Sequence, residues 1–227
     1  MFFPVDETMI VLIPAIIFTL YAQSKVKSTF NNYLRVPTRK GYTGFDVARG
    51  ILDSYNLRDI PVEPSQGHMT DHYDPRKRVV RLSQAVYNGS SIASVSVAAH
   101  EVGHALQHAG GYAPLTLRNA IFPIASFGSS AAWFFIIGGL FLGYDGLFQI
   151  GILLFGAAVA FQVVTLPVEF NASSRAIRLL ADGGFIAGEE QQSSQRVLRA
   201  AALTYVAAMA ASVAQLLRLI LLRNRRR

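Results

Sequence analysis

NAIFPIASFGSSAAWFFIIGGLFLGY, residues 119–144, and GLFQIGILLFGAAVAFQVVTLPV, residues 146–168, are two stretches without a charged side chain, separated only by Asp145. Each is long enough to cross a hydrocarbon layer of about 30 Å as an α-helix. Because a short connection makes neighbouring helices antiparallel, the pair predicts a membrane-spanning helical hairpin. The pairs Gly139/Gly143 and Gly156/Ala160 would permit close helix contact, although ordinary packing explains them equally well.

The whole composition favours a membrane protein, since 52% of the residues are hydrophobic and only 15% are charged. Residues 8–24 form another uncharged apolar stretch, with acidic residues before it and Lys25 and Lys27 after it. These flanks are the reverse of those of a secretory signal peptide, so we expect an anchor, although residues 22–24 resemble a cleavage site. Residues 200–222 are also apolar but contain Gln215 and Arg218, so this fourth stretch spans, lies partly in the interface or packs within the protein, and spanning is favoured.

The net charge of +7 is concentrated beside the apolar stretches. The basic residues there are Lys25, Lys27, Arg35, Arg39, Lys40, Arg223, Arg225, Arg226 and Arg227. Membrane topology and anionic lipid headgroups explain this placement, so the lipid bilayer is the expected partner and nucleic acid is not. The positive-inside trend predicts a multi-pass cell-membrane protein with both polar segments on the cytoplasmic side. A spanning fourth stretch would then put the arginine tail outside, against that trend. The absence of cysteine excludes disulfides and thiol catalysis.

We therefore predict a mainly α, polytopic helical membrane protein with a small β-sheet and, around His100-Glu101-Val102-Gly103-His104, a zincin-like HExxH helix. The expected segments are an anchor (1–24), a cytoplasmic-side catalytic region (25–118), a hairpin (119–168), a polar segment (169–199) and an apolar helix with a basic tail (200–227). Within the catalytic region, the sequence predicts a helix at 43–57 capped by Thr43, with apolar residues at helical spacing. Short strands are expected at 60–63 and 78–83, around a turn at 71–75, and a helix capped by Ser90 or Ser91 at 92–109.

His100-Glu101-Val102-Gly103-His104 lies in the last of these helices. Histidines four residues apart face the same way on a helix and can bind one zinc ion. Zinc lowers the pKa of a bound water toward about 7, and Glu101 can take its proton as the water attacks a peptide carbonyl. Glu101 can then return the proton to the departing amine. The alternative is a polar helix whose histidines make structural hydrogen bonds.

A catalytic zinc site normally has three protein ligands, so a third is expected. Glu169 is the best candidate because it follows the hairpin directly and lies on the same side of the membrane as the histidines; a solvated carboxylate at the boundary is the alternative. His108 is rotated by about 80° from His100 around the helix, against about 40° for His104, and fits less well. We interpret it as a helix-end histidine stabilised by the helix dipole.

Four separated motifs resemble a known family. They are Thr-Asp-His-Tyr-Asp-Pro at 70–75, Val-Arg-Leu-Ser at 80–83, Ala-Ala-His-Glu-Val-Gly-His-Ala-Leu-Gln at 98–107 and Leu-Pro-Val-Glu-Phe-Asn-Ala-Ser at 166–173. In this order they resemble the YugP-type membrane zinc metallopeptidases of bacteria. More distantly, the chain is similar to the HtpX and CAAX prenyl protease group, in which a Glu-x-x-x-Asp sequence supplies the third zinc ligand.

The resemblance implies a gluzincin-type hydrolase with one Zn²⁺ per chain and Glu169 at the position of the third ligand. At the aspartate position this chain has Ser173. Ser173 or Asn171 would then supply the hydrogen bond that usually orients a zinc-bound histidine. The resemblance also implies that residues 79–83 form an edge strand on which a peptide substrate could pair, with plain sheet structure as the alternative.

Two other polar residues near these motifs are weaker candidates for the functional site. His72 belongs to a turn in our interpretation, with lining of the site as the alternative. Arg175 could bind substrate or stabilise a developing oxyanion, whereas a surface salt bridge would give it a purely structural role.

The leading hypothesis is a membrane-embedded zinc-dependent endopeptidase acting on peptides or membrane proteins. The alternative is a non-proteolytic metal-binding protein that serves membrane interactions. A transporter is disfavoured because the larger polar residues within the hairpin are few, chiefly Gln149, Gln162 and Thr165, and suggest no ion path.

Overall fold

The computed structural model describes residues 7–225, so Asp6 and the tail arginines Arg226 and Arg227 lie outside the described residues. A short 3-10 helix, Glu7–Leu12, leads directly into the first α-helix. The elements that follow are α1 (Ile13–Leu34), α2 (Gly44–Ser54), β1 (Val62–Ser65), β2 (His72–Asp74), β3 (Val79–Ser83), α3 (Gln84–Tyr87), α4 (Ile92–Ala109), α5 (Ala113–Leu142), α6 (Asp145–Asp182) and α7 (Gly188–Asn224). The chain is thus mainly helical, as the sequence predicts.

Among residues 7–225, four helices are long and apolar enough to cross a membrane. They are Glu7–Leu34, Ala113–Leu142, Asp145–Asp182 and Gly188–Asn224. The last of these contains residues 200–222, for which the sequence favours spanning over an interfacial or internal position. The predicted anchor therefore corresponds to α1, and the predicted hairpin corresponds to α5 and α6.

The turn of the hairpin follows from two glycines. Gly143 adopts a φ of +66°, a left-handed conformation that glycine tolerates without steric cost. At Gly139 a Cβ would lie 2.5 Å from the backbone nitrogen of Phe148, so only a glycine lets α5 and α6 approach this closely. A Cβ at Gly156 would meet nothing within 4 Å, so this glycine has no such role in helix contact.

Contacts divide the chain into two compact units. One, which we call the apolar unit, comprises Met1–Gln23, Thr116–Pro167 and Thr204–Arg227. Its buried residues in one cluster are Ala132, Ile136, Phe148 and Leu219. The other, which we call the polar unit, comprises Ser24–Leu115 and Val168–Leu203 and contains the sheet, α2, α3 and α4.

In the polar unit, α2 begins at a capping box. The Thr43 hydroxyl accepts a hydrogen bond from the backbone N–H of Asp46 at 3.1 Å, and the Asp46 carboxylate accepts one from the N–H of Thr43 at 2.9 Å. The predicted start is confirmed. The helix ends at Ser54, earlier than expected, and Tyr55 is exposed at its C-cap rather than lying on the buried face. That face contributes Val47, Ala48, Ile51 and Leu52 to the core.

The sheet has the strand order β1-β3-β2. Strand β1 pairs in parallel with β3, and β2 pairs antiparallel with it. The expectation that residues 79–83 form an edge strand is therefore wrong, because β3 is the central strand. The interpretation of residues 71–75 as turn alone is also wrong, since His72–Asp74 is a strand. The Asp74 carboxylate accepts hydrogen bonds from the N–H groups of Arg76 and Lys77, which places the turn after the strand.

Helix α4 has the bounds that the sequence predicts. The Ser91 hydroxyl accepts a hydrogen bond from the N–H of Ser94 at 3.1 Å, so Ser91 is the N-cap. Gly110 is the C-cap, and Gly111 follows with a φ of +61°. Helix α6 extends past the predicted hairpin, because it runs through Pro167 without a break and Glu169 lies inside it. Pro167 disfavours an unbroken helix because it lacks an N–H donor, but no glycine between Gly156 and Gly183 offers a helix end.

Candidate metal centre

Three side chains of the polar unit converge on one point. His100 and His104 lie on α4 and Glu169 lies on α6, and their ligand atoms are all within 4.8 Å of one another. The Oε2 atom of Glu169 is 3.3 Å from Nε2 of His100 and 3.6 Å from Nε2 of His104. In a tetrahedral zinc site with bonds of about 2.0–2.2 Å, ligand atoms are separated by about 3.3–3.6 Å. The two distances from Glu169 to the imidazoles match that geometry.

The Glu169 carboxylate provides an independent test of whether a cation fits here. Its side chain is only 3% exposed. Among the described residues, Oε2 has no hydrogen-bond partner, although both imidazoles are close to it. A buried carboxylate oxygen whose hydrogen bonds are not made is costly, because it has lost its water. A divalent cation between Glu169 and the imidazoles would satisfy this atom, so the donor set fits zinc.

The electrostatics of the site also favour a cation. Burial raises the pKa of the Glu101 carboxyl, which is only 8% exposed. Burial by itself would lower the pKa of His104, but the nearby Glu169 and Glu101 carboxylates outweigh it and raise that pKa. The negative charge of the site thus draws positive charge to the imidazole when no metal is present. A raised pKa suits Glu101 for accepting a proton near neutral pH.

Gln107 orients His104 and was missed as a functional residue by the sequence reasoning. Its amide Nε2 donates to the backbone carbonyl of Val168 at 2.9 Å and to Oδ1 of Asn171 at 3.0 Å. Since a carbonyl oxygen only accepts, the orientation of the amide is fixed, and Oε1 faces Nδ1 of His104 at 3.0 Å. Nδ1 must then donate its hydrogen, which leaves Nε2 free to bind a metal. A polar residue three positions after His104, on a largely buried helix, was the signal that could have identified it.

The two residues expected to replace the missing aspartate have separate contacts. Ser173 Oγ lies 3.3 Å from Nδ1 of His100, a long contact that orients the first histidine only weakly. Asn171 touches neither imidazole in any of the described contacts. It accepts hydrogen bonds from Gln107 and from Nε of Arg175, the latter at 2.8 Å. Asn171 therefore acts on His104 through Gln107.

Arg175 is held inside this network. Its guanidinium lies over the ring of Tyr112, 5.9 Å from the centroid, in addition to its bond to Asn171. Within residues 7–225 it makes no ion pair with a carboxylate, so the surface salt bridge considered from sequence is not seen. The structure places Arg175 two helical turns from Glu169, on the same helix.

His108 and His72 lie outside the triad of His100, His104 and Glu169. Nδ1 of His108 is 2.9 Å from the hydroxyl of Tyr73, so a side chain of β2 gives it a partner at the end of α4. His72 is exposed, and its Nδ1 lies 2.8 Å from the carbonyl oxygen of Thr70. Neither belongs to the group of ligand atoms formed by His100, His104 and Glu169.

Comparison with known proteins gives two matches. Residues 8–224 match the model of a family described as "Putative neutral zinc metallopeptidase". The chain is also 52% identical over 210 residues to a protein of Bacillus subtilis (strain 168) named "Putative membrane protease YugP". That alignment covers 92% of this chain and 93% of the relative. No solved structure gives a significant match.

Proposed function

The chain belongs to this neutral zinc metallopeptidase family, and we propose that it is a membrane-embedded zinc endopeptidase that hydrolyses peptide bonds. One observation carries the proposal: two imidazole nitrogens on α4 and a buried carboxylate oxygen on α6 converge at distances suited to one zinc ion. The relative's printed name, a membrane protease, and the four apolar helices support the same conclusion.

In this proposal His100, His104 and Glu169 hold one Zn²⁺ per chain. Bound zinc would supply a polarised carbonyl and a more acidic water. Glu101 follows His100 directly on α4, accepts the proton of the attacking water and passes it to the departing amine. Its burial supports this role, because a carboxyl whose pKa is raised accepts a proton more readily near neutral pH.

The substrate is proposed to be a peptide or a membrane protein, reached from the cytoplasmic side. The positive charge that follows the first apolar stretch supports this orientation. Because β3 is central, we propose that an extended substrate pairs instead with the outer edge of β2, which no other described strand covers. The contact between Tyr73 of β2 and His108 of α4 keeps this strand beside the helix that carries the metal ligands.

Glu101→Gln tests the proposal. We expect the variant to retain zinc at wild-type stoichiometry, measured by metal mass spectrometry, and to lose cleavage of an unfolded casein-like substrate by about 10²-fold or more. His104→Ala and Glu169→Ala should lose both zinc and cleavage. Glu63→Gln, at an exposed glutamate of β1, is the matched control and should keep both.

Two results would contradict the proposal. Cleavage by Glu101→Gln at the wild-type rate would remove Glu101 from the chemistry. Wild-type protein that contains stoichiometric zinc but cuts neither unfolded proteins nor membrane proteins would favour the alternative, a non-proteolytic metal-binding protein serving membrane interactions.

A further inference from the structure

A cavity with a volume of about 420 Å³ lies in the polar unit, between α1 and α7. It includes none of the residues of the metal centre. The side chains around it are Lys25, Thr29, Asn32, Tyr33, Arg196, Arg199, Ala200 and Leu203. Three of the eight are cationic and none is acidic, so the cavity is a positively charged site for which the proposed peptidase chemistry has no use.

The positive charge of this cavity is not neutralised by the helices that form it. No Asp or Glu occurs in residues 8–45, which include all of α1, or in residues 191–227, which include the part of α7 that lines the cavity. Arg196 donates to the hydroxyl of Tyr33 at 3.4 Å, a neutral partner. Within the described part of the chain, neither Lys25 nor Arg199 forms an ion pair. Like charges that line one cavity repel one another, and a bound anion relieves this repulsion.

The lining groups suit a phosphate. An arginine guanidinium can donate two hydrogen bonds to two oxygens of one phosphate, and a lysine ammonium adds a single positive charge. Thr29, Asn32 and Tyr33 offer hydroxyl and amide donors for further oxygens. A volume of about 420 Å³ exceeds what a small carboxylate needs and lies in the range of sites that hold a complete small ligand.

The position of the cavity along the chain indicates where the phosphate comes from. Lys25 follows the apolar stretch 8–24 directly, and Ala200 opens the apolar stretch 200–222. Ala200 and Leu203 also give the cavity an apolar wall. Basic pockets between spanning helices, at the level where apolar sequence gives way to polar sequence, meet lipid headgroups. We propose that this cavity binds a phosphate group, and that the headgroup of an anionic phospholipid supplies it.

The test compares two double variants with the same net charge in the full-length, delipidated protein. Lys25→Gln with Arg199→Gln removes two cations from the cavity. Lys27→Gln with Arg178→Gln removes two exposed cations that do not line it. Binding of phosphatidylglycerol, phosphatidylcholine and inorganic phosphate is measured by native mass spectrometry and by the shift in melting temperature. Zinc content shows that each variant is folded, and no readout depends on proteolysis.

We expect wild-type protein to bind phosphatidylglycerol in preference to phosphatidylcholine. The cavity variant should bind it at least about tenfold more weakly, and the control variant within about twofold of wild type, because the lost contacts are charge-assisted hydrogen bonds. If inorganic phosphate binds with the same sensitivity and phosphatidylglycerol does not, the phosphate site stands but its ligand is a soluble phosphate. Equal weakening in both variants, equal binding of phosphatidylcholine, or no binding of either phosphate compound overturns the proposal.

Discussion

Gln107 donates a hydrogen bond to the backbone carbonyl of Val168, 2.9 Å away, and so joins the helix that carries His104 to the residue directly before Glu169. The same side chain accepts from the imidazole of His104. One buried amide thus orients one proposed metal ligand and fixes the position of the backbone that carries another. Changes at Gln107 should therefore affect metal binding more than their distance from the metal would suggest.

Gln107→Leu tests this link. The substitution keeps the side-chain volume similar but removes the acceptor for His104 and the donor for Val168. We expect the dissociation constant for zinc to rise by about 10- to 100-fold, the usual effect of losing the partner of a ligating histidine. Chelator competition measures it. Gln66→Leu, at an exposed glutamine, is the control, and equal zinc affinity in the two variants would show that Gln107 does not orient the ligand.

At Ser173 we expect a substitution that strengthens zinc binding. Its hydroxyl is a weak partner for His100, at 3.3 Å. Ser173→Asp should place a carboxylate beside Nδ1 of His100 and lower the zinc dissociation constant, by up to about tenfold, whereas Ser173→Ala should raise it. Ser174→Asp adds the same charge at the neighbouring exposed position. If both aspartate variants tighten zinc binding equally, the effect is general electrostatics and not a contact with His100.

Gly103 sets the distance between α4 and α6 at the metal centre. A Cβ there would lie 3.0 Å from the carbonyl oxygen of Ala172 and 3.4 Å from its Cα. Gly103→Val should push the two helices apart, lower the free energy of unfolding by about 1–3 kcal/mol and weaken zinc binding. Gly156→Val, where a Cβ meets nothing within 4 Å, should leave zinc binding unchanged. Thermal unfolding and metal content measure the two effects, and retained zinc in Gly103→Val would contradict the expectation.

Asp71 should contribute to stability although it lies outside the described group of ligand atoms formed by His100, His104 and Glu169. Its carboxylate accepts hydrogen bonds from the N–H of Ser83 at 2.7 Å and from the Ser83 hydroxyl at 3.0 Å, which fixes the end of β3. Asp71→Ala should lower the free energy of unfolding by about 1–3 kcal/mol, because it leaves a partly buried N–H without an acceptor.

The matched control for Asp71 is Asp59→Ala, which removes only an exposed ion pair with Arg78. Its expected cost is about 0–1 kcal/mol. Melting curves of both variants in detergent give the comparison. A smaller loss for Asp71→Ala than for Asp59→Ala would show that the carboxylate does not hold the strand in place.

Much of the fold could be predicted from sequence because the signals are local. The uncharged stretches 119–144 and 146–168 predict α5 and the first part of α6, and Ser91 and Gly110 mark both ends of α4. The wrong predictions about the sheet concern pairing between segments. Residues 79–83 were expected at the edge of the sheet, but the chain turns after Asp74 and places His72–Asp74 along the free side of β3. Nothing in either segment alone specifies that partner.

For the candidate site, too, the local features could be predicted from sequence and the long-range contacts could not. The sequence by itself determined that His100 and His104 share one face of a helix, because helical geometry repeats every 3.6 residues, and that apolar helices make up much of the chain. Only the tertiary structure decided that Glu169 lies 3.3 Å from His100, that Gln107 joins α4 to α6, and that Lys25 and Arg199 line one cavity. Contacts between residues far apart in sequence depend on how whole helices pack, and that packing is set by many side chains together.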